Sequence, residues 1–228
     1  MPKFTFASDE EGFDEHIQLS IRGYSDLWGD ILKLSEYFVE DETTVVDIGC
    51  STGKLLKAMQ MQNNDYAPGC IYKGIEVEED FFPELVDENN LQFSKMDVRG
   101  FEWNSAARNC SLVTSIFTLQ FITKRDRSKI ISRIYDALIV GGGFIFAEKI
   151  LSADAQLEEM MTFCHYDWKR KNFSEKEILE KENQLRHMMK LLTYDQMTSL
   201  VKEAGFIDVQ PFWQNFNFVA CIALKRPV

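Results

Sequence analysis

The sequence predicts an α/β fold built on a mostly parallel, doubly wound sheet, and three observations predict it. Short β-branched runs alternate with stretches of helical periodicity from about residue 43 onward, the pattern of strands joined by crossover helices. The first run stops at an acidic residue and turns through glycines into an amphipathic stretch, Val45-Val46-Asp47-Ile48-Gly49-Cys50-Ser51-Thr52-Gly53. Two late apolar runs separated by a short turn close the chain, as an antiparallel hairpin closes an otherwise parallel sheet along one edge.

Taken in order, Ile17, Ile21, Leu27, Ile31, Leu34 and Phe38 have the spacing of two helices across 13–40, hinged at Arg22-Gly23-Tyr24-Ser25. A strand over 43–48 and a helix over 53–61 follow, then a strand over 71–76 and a helix over 79–89. Further strands are expected over 91–96 and 112–117, a helix over 125–138, and a fifth strand over 144–148 after three consecutive glycines. A long charged region, 152–192, then interrupts the alternation and reads as a helical insertion. A helix over 193–204 and strands over 207–212 and 215–224 complete a seven-stranded sheet with an antiparallel C-terminal hairpin. With 228 residues, 45% of them hydrophobic, residues 1–228 suit one domain with an added segment; two full domains would be cramped.

In an open sheet of this kind ligands lie beyond the carboxyl ends of the strands, so the residues ending each strand are the candidates. Gly49 and Gly53 let the chain turn sharply and let a ligand approach the backbone, and the free amides opening the next helix attract an anion. The spacing D-x-G-x-x-x-G differs from the dinucleotide fingerprint, whose third glycine serves a pyrophosphate; a carboxylate-bearing ligand is implied instead. Glu76 ends the second strand, where a carboxylate can accept from both hydroxyls of a ribose. Asp97 and Val98 end the third, offering a carboxylate and a backbone N–H to a ligand, which in the fold resembled below is the place of an adenine. Phe117 and Phe121 flank the end of the fourth, where a ring face suits a cationic group of a ligand, and Gln120 between them is a candidate polar contact. Glu148-Lys149 ends the fifth strand; such a pair of adjacent opposite charges reads as a surface feature, with Lys149 within reach of a substrate. His165-Tyr166-Asp167 has too few ligands for a metal and reads as packed helix, and Lys169-Arg170-Lys171 reads as a solvated helix face.

The net charge of −11 disfavours direct nucleic-acid binding. Five scattered cysteines without a C-x-x-C pair indicate neither a disulfide framework nor a zinc site, which suits a reducing cytoplasm. Met1-Pro2-Lys3 and the polar residues after them lack a signal-peptide pattern, and the most apolar stretch, 137–150, is too short and too glycine-rich to span a bilayer.

The glycine loop resembles the first motif of class I S-adenosylmethionine (SAM) methyltransferases, where the acidic residue, here Asp47, reaches the amino group of the cofactor through hydrogen bonds. More specifically, Gly23-Tyr24-Ser25, the loop from Asp47 to Gly53, Phe117 to Phe121, Glu148-Lys149, the block from His165 to Ile178 and the closing Phe212-Trp213-Gln214-Asn215-Phe216-Asn217-Phe218 resemble the carboxy-S-adenosylmethionine synthase family, over about residues 4–225. The resemblance implies a Rossmann-like class I methyltransferase fold. It also implies a chemistry in which prephenate turns SAM into carboxy-SAM for a partner enzyme that modifies the wobble uridine of certain tRNAs. By the same resemblance Tyr24, Gly49, Cys50, Ser51, Asp97 and Val98 contact the cofactor, the protein is a homodimer, and an arginine of the insertion crosses to the neighbouring subunit to pair with the extra carboxylate.

Two positions depart from that pattern: Glu182 stands where the family has the crossing arginine, and Ile116 where it has a cofactor-contacting asparagine. A carboxylate facing a carboxylate is repelled, where arginine would make two charge-assisted hydrogen bonds. The first expectation is therefore a SAM-dependent methyltransferase on this scaffold, holding SAM or S-adenosylhomocysteine in preference to carboxy-SAM and acting on a small molecule or an RNA. The second is carboxy-SAM synthesis with a relocated cation, Lys181 or Arg186. The third is a non-catalytic SAM-binding subunit that supports a partner.

Overall fold

A computed structural model describes residues 12–227. The leading Met1-Pro2-Lys3 and the start of the family resemblance lie outside the described residues. Helix α1 (Phe13–Ser20) and helix α2 (Tyr24–Ser35) meet at Gly23, whose left-handed backbone caps α2; the expected hinge is there. Leu27, Ile31 and Ser35 recur at helical spacing and form the buried face of α2.

Strand β1 (Thr44–Ile48) is buried along its whole length and leads through the glycine loop into α3 (Lys54–Asn63). Strands β2 (Ile71–Glu76), β3 (Leu91–Lys95) and β4 (Cys110–Ile116) follow, with the short helix α4 (Trp103–Ala106) before β4. Then come α5 (Lys124–Ala137), β5 (Leu138–Leu151), the inserted helices α6 (Ala155–Lys169) and α7 (Glu175–Leu185), β6 (Leu192–Thr193), α8 (Tyr194–Glu203), β7 (Val209–Asn215) and β8 (Phe218–Leu224). The main path runs β3-β2-β1-β4-β5-β8-β7, parallel through β5 and antiparallel at β8 and β7. The order reverses between β1 and β4, which sets the ligand crevice at their carboxyl ends. One face of the sheet packs on α2 and α3 through Leu27, Ile31, Leu56 and Met59, the other on α5 and α8 through Ile130, Ile134, Met197 and Val201.

Four expectations are corrected. Between β2 and β3 a 3-10 segment, Glu79–Glu84, replaces the expected helix over 79–89, because Pro83 within it has no N–H to continue a helix. The fifth strand begins at Leu138, not at 144: the glycine run extends the strand. Gly141 N–H donates to Lys225 O (2.8 Å), and a Cβ on Gly143 would lie 2.8 Å from the ring of Phe38. The sheet gains an eighth, two-residue strand, β6, beside the end of β5. The hairpin turns at Phe216-Asn217, so Trp213 and Gln214 belong to β7 and not to the turn.

Candidate cofactor and substrate site

The carboxyl ends of β1, β2, β4 and β5 open into a cavity of about 470 Å³, within the range of small-molecule sites. The glycine loop forms one wall. Gly49 (φ +70°) and Cys50 both donate their N–H to Ile75 O, at 2.8 and 3.2 Å, which pins the loop to the end of β2. At Gly49 a side chain would also collide with Thr118. Ser51, itself left-handed (φ +46°), donates its N–H to Glu76 Oε2 at 2.8 Å. Gly53 caps α3 with φ +74°, and a Cβ there would lie 2.9 Å from the Phe93 ring.

Two acids are buried side by side behind this loop. Asp47 is 3% exposed, accepts from Thr114 Oγ1 at 2.7 Å, and has its pKa raised from 3.8 to about 7, first by burial and further by the charge of Glu76. Glu76 is also raised by burial, against which the N–H groups of Glu78, Ser51 and Val77 favour its charged form at 2.8 Å each. A buried acid pair with raised pKa values is stabilised by a cation placed between its members, and a sulfonium amino acid supplies one. Asp97 behaves differently. It is half-exposed, caps a 3-10 turn over Val98–Gly100, and its pKa is lowered mainly by the Arg99 side chain, Arg99 Nη2 lying 2.6 Å from Oδ2. Val98 is buried beside it, and both line the far end of the cavity.

Aromatic rings cross the middle. Tyr24 opens α2 with its hydroxyl pKa raised by burial and by Asp14 and Asp47. Its ring lies 6.3 Å from that of Phe117 (φ +55°), and Phe117 meets Phe218 edge-on at 5.7 Å. Phe218 in turn touches the His165 ring at 5.0 Å and lies 5.8 Å from Lys149 Nζ. The cavity lining includes the acids Asp47, Glu76 and Asp97 and the lysines Lys149, Lys169 and Lys181, with Glu182 beside the lysines.

The structure brings Tyr24, Asp47, Gly49, Cys50, Ser51, Glu76, Asp97, Val98, Phe117, Gln120 and Lys149 to this cavity, with Gly53 just behind the loop. Cys50 is buried with its thiol pKa well raised, by burial first, so it is a packing group. Gln120 is committed to the fold: its Oε1 accepts Lys149 N–H at 2.8 Å and its carbonyl accepts Lys190 N–H at 2.6 Å. Arg186 is not brought in; it is exposed at the end of α7, donating its N–H to Glu182 O. Ile116 and Glu182 both line the cavity, and Glu182 Oε1 lies 3.8 Å from Lys149 Nζ.

Other readings are corrected by burial. Glu148 is 3% exposed, with its pKa raised to about 8 chiefly by burial, so the Glu148-Lys149 pair is no surface feature. Lys169 is 5% exposed and belongs to the cavity wall, not to a solvated face. Sequence reasoning missed Asp14, which sits over the loop, accepting from Thr52 Oγ1 at 3.0 Å and pairing with Lys54 Nζ at 2.6 Å. No local pattern marks that residue; only the folding of α1 across the cavity places it there.

No family model matches the chain. Among curated proteins, a carboxy-S-adenosyl-L-methionine synthase of Staphylococcus epidermidis is 34% identical over 98% of this chain and 97% of its own length. Its namesakes from Klebsiella pneumoniae and Yersinia pestis are each 32% identical over 94% of this chain, and over 88% and 81% of their own lengths. Solved structures share the fold. Human N-acetylserotonin methyltransferase in complex with SAM superposes with a TM-score of 0.60 at 20% identity, over 90% of this chain and 53% of its own. A methyltransferase bound to the Haloferax volcanii Trm112 activator gives 0.62 at 14% identity, over 97% and 96%. The glycine loop, the sheet order and these comparisons agree: the chain has the fold of these methyltransferases and belongs to the carboxy-S-adenosyl-L-methionine synthase family.

Proposed function

We propose that the protein converts SAM into carboxy-SAM, with prephenate as the carboxyl donor that the family resemblance implies. The observation that supports this reading is the Lys149–Glu182 pair. Glu182, the departure that argued against a carboxylated cofactor, has its charge met within its own subunit by Lys149, while Lys169 and Lys181 line the same end of the cavity. The acid that replaces the family's arginine is therefore offset by cations, and the field there remains suited to an anion.

The residues divide the work. Asp47 and the loop hold the amino acid end of SAM, Glu76 its ribose, and Asp97 with Val98 its adenine. Tyr24 and Phe117 enclose the sulfonium, excluding water and offering ring faces to the positive sulfur. When bound, SAM would supply the methyl carbon, which exchanges one C–H proton for the carboxyl group that prephenate gives up together with its ring hydroxyl, proton and hydroxide leaving as water; the chain supplies position and field. The test is incubation of the protein with SAM, with and without prephenate, followed by mass spectrometry of the nucleosides. Carboxy-SAM formed only in the presence of prephenate is the expected result, and unchanged SAM would refute it.

Methyl transfer to a small acceptor is the second reading, favoured by Ile116, which puts an apolar wall where the family has an asparagine. S-adenosylhomocysteine accumulating with an acceptor, and no carboxy-SAM, would establish it. No feature of the site favours a non-catalytic subunit.

The protein is further proposed to be a cytoplasmic homodimer joined through its insertion. Helix α6 is inverted: it buries His165 and Lys169 toward the cavity and exposes Leu157, Met160 and Phe163, with Leu179 of α7 also exposed. A second copy would cover this apolar face. Among the described residues no helix is long and apolar enough to cross a membrane.

A further inference from the structure

His165 lies outside every residue set that the glycine loop or the strand ends suggest, yet it is 5% exposed and lines the cationic end of the cavity. Its Nδ1 is sealed from solvent and has no hydrogen-bond partner among the described residues. Burial and the charges of Lys149 and Lys169 lower its pKa to about 3, so the ring is neutral. A neutral imidazole carries one proton. With Nδ1 dry and unpartnered, an orphaned N–H is rarer in protein interiors than an orphaned acceptor, and the two ammonium groups favour a lone pair facing them, which together favour the proton on Nε2.

Lys169 follows His165 by one helical turn and shares its face of α6. Lys149 reaches the same place from β5, both Lys149 and the imidazole lying against the Phe218 ring. Phe218 also meets Phe117 edge-on at 5.7 Å, the ring assigned above to the sulfonium under the proposed function. A donor and two ammonium groups thus line one end of the cavity, where Glu182, 3.8 Å from Lys149 Nζ, offsets part of one charge and leaves the balance cationic.

We propose that His165, with Lys149 and Lys169, forms a subsite that binds an oxyanion of the second reactant, a carboxylic acid, with Nε2–H of His165 as the hydrogen-bond donor. This deepens the proposed function and rests on it for the identity of the reaction. It does not rest on it for binding. His165 is here a substrate-positioning residue, and the lysines supply attraction that is stronger in this water-poor recess than at the surface.

The test is calorimetry of malonate binding to the full chain loaded with S-adenosylhomocysteine, with malonamide as the neutral control. Malonate should bind and malonamide should not. His165→Gln, whose amide nitrogen falls near Nε2, should retain malonate affinity within about threefold. His165→Asn, whose amide falls near Nδ1, and His165→Leu should each lose about tenfold or more, the worth of one hydrogen bond to a charged group. Affinity for S-adenosylhomocysteine and the melting temperature should hold in all three, which a purely structural histidine would not allow. In turnover with prephenate, His165→Leu should raise the KM for prephenate. Equal malonate affinity in His165→Leu and the unaltered protein, or no malonate binding at all, overturns the subsite. Malonate binding that follows His165 in a protein that makes no carboxy-SAM supports the subsite and removes only the proposed reaction.

Discussion

Replacing Asp47 with Asn should make the free protein more stable while weakening its hold on SAM. Asp47 is 3% exposed and its pKa is raised from 3.8 to about 7. A carboxyl group whose folded pKa exceeds its unfolded value binds protons more tightly when folded, so its penalty is absent below pH 3.8 and fully present above pH 7. About three pH units at roughly 1.4 kcal/mol each set an upper bound near 4 kcal/mol at pH 8. Asn keeps the carbonyl that accepts from Thr114 Oγ1 but adds an amide N–H2 that costs about 1–3 kcal/mol if unpaired. The net gain is about 1–3 kcal/mol, or roughly 2–10 °C in melting temperature for a chain of this size. The gain should fall as pH drops and turn into a loss of about 1–3 kcal/mol near pH 4, where the Asp47 penalty is gone and the cost of the unpaired amide remains. Loss of the charge opposite the SAM amino group should weaken binding by about 1.5–3 kcal/mol, roughly 10- to 150-fold. Thermal denaturation between pH 4 and 8, with calorimetry of SAM binding at pH 8, measures both. A variant that melts no higher at pH 8 and binds SAM equally well would refute the assignment of Asp47 as a buried acid awaiting a cation. The unaltered protein should show the same linkage: SAM affinity rises with pH up to about 7, then levels.

Glu76→Ala should weaken SAM binding by about 1.5–3 kcal/mol and also lower stability, because three backbone N–H groups lose their acceptor; the two effects are read by calorimetry and melting. Gly49→Ala should fail to bind SAM, since φ is +70° and the added carbon meets Thr118; full binding would mean that the loop is not held as described. Glu182→Arg should raise affinity for carboxy-SAM over SAM, by competition calorimetry, because Glu182 lines the cavity. No change would detach that helix position from the ligand. If the proposed dimer forms, Phe163→Glu should convert it to a monomer by light scattering, and a dimer that survives it places the interface elsewhere.

The main frame was legible because it rests on short-range pattern. The β1 run, its acidic end and the two glycines announce a strand, a turn and a helix with no help from distant residues, and Glu76 follows from the next strand end. The readings that failed are those decided by what packs against a segment. The glycines at 141–143 look like a chain break until Phe38 and Lys225 are seen to occupy the space beside them. Lys169 and Glu148 look solvated because charge in sequence gives no depth, yet both are buried. Arg186 shares a helical stripe with Glu182 in sequence, but only the latter reaches the cavity.

The sequence alone determined the sheet's alternation, the glycine loop and the acids behind it, since these depend on local turn geometry and strand periodicity. Tertiary structure decided the chemistry of the far end. It set Glu182 beside Lys149, turned His165 and Lys169 inward, and laid Asp14 across the loop. Those placements arise from contacts between elements far apart in the chain, which periodicity within one element does not encode.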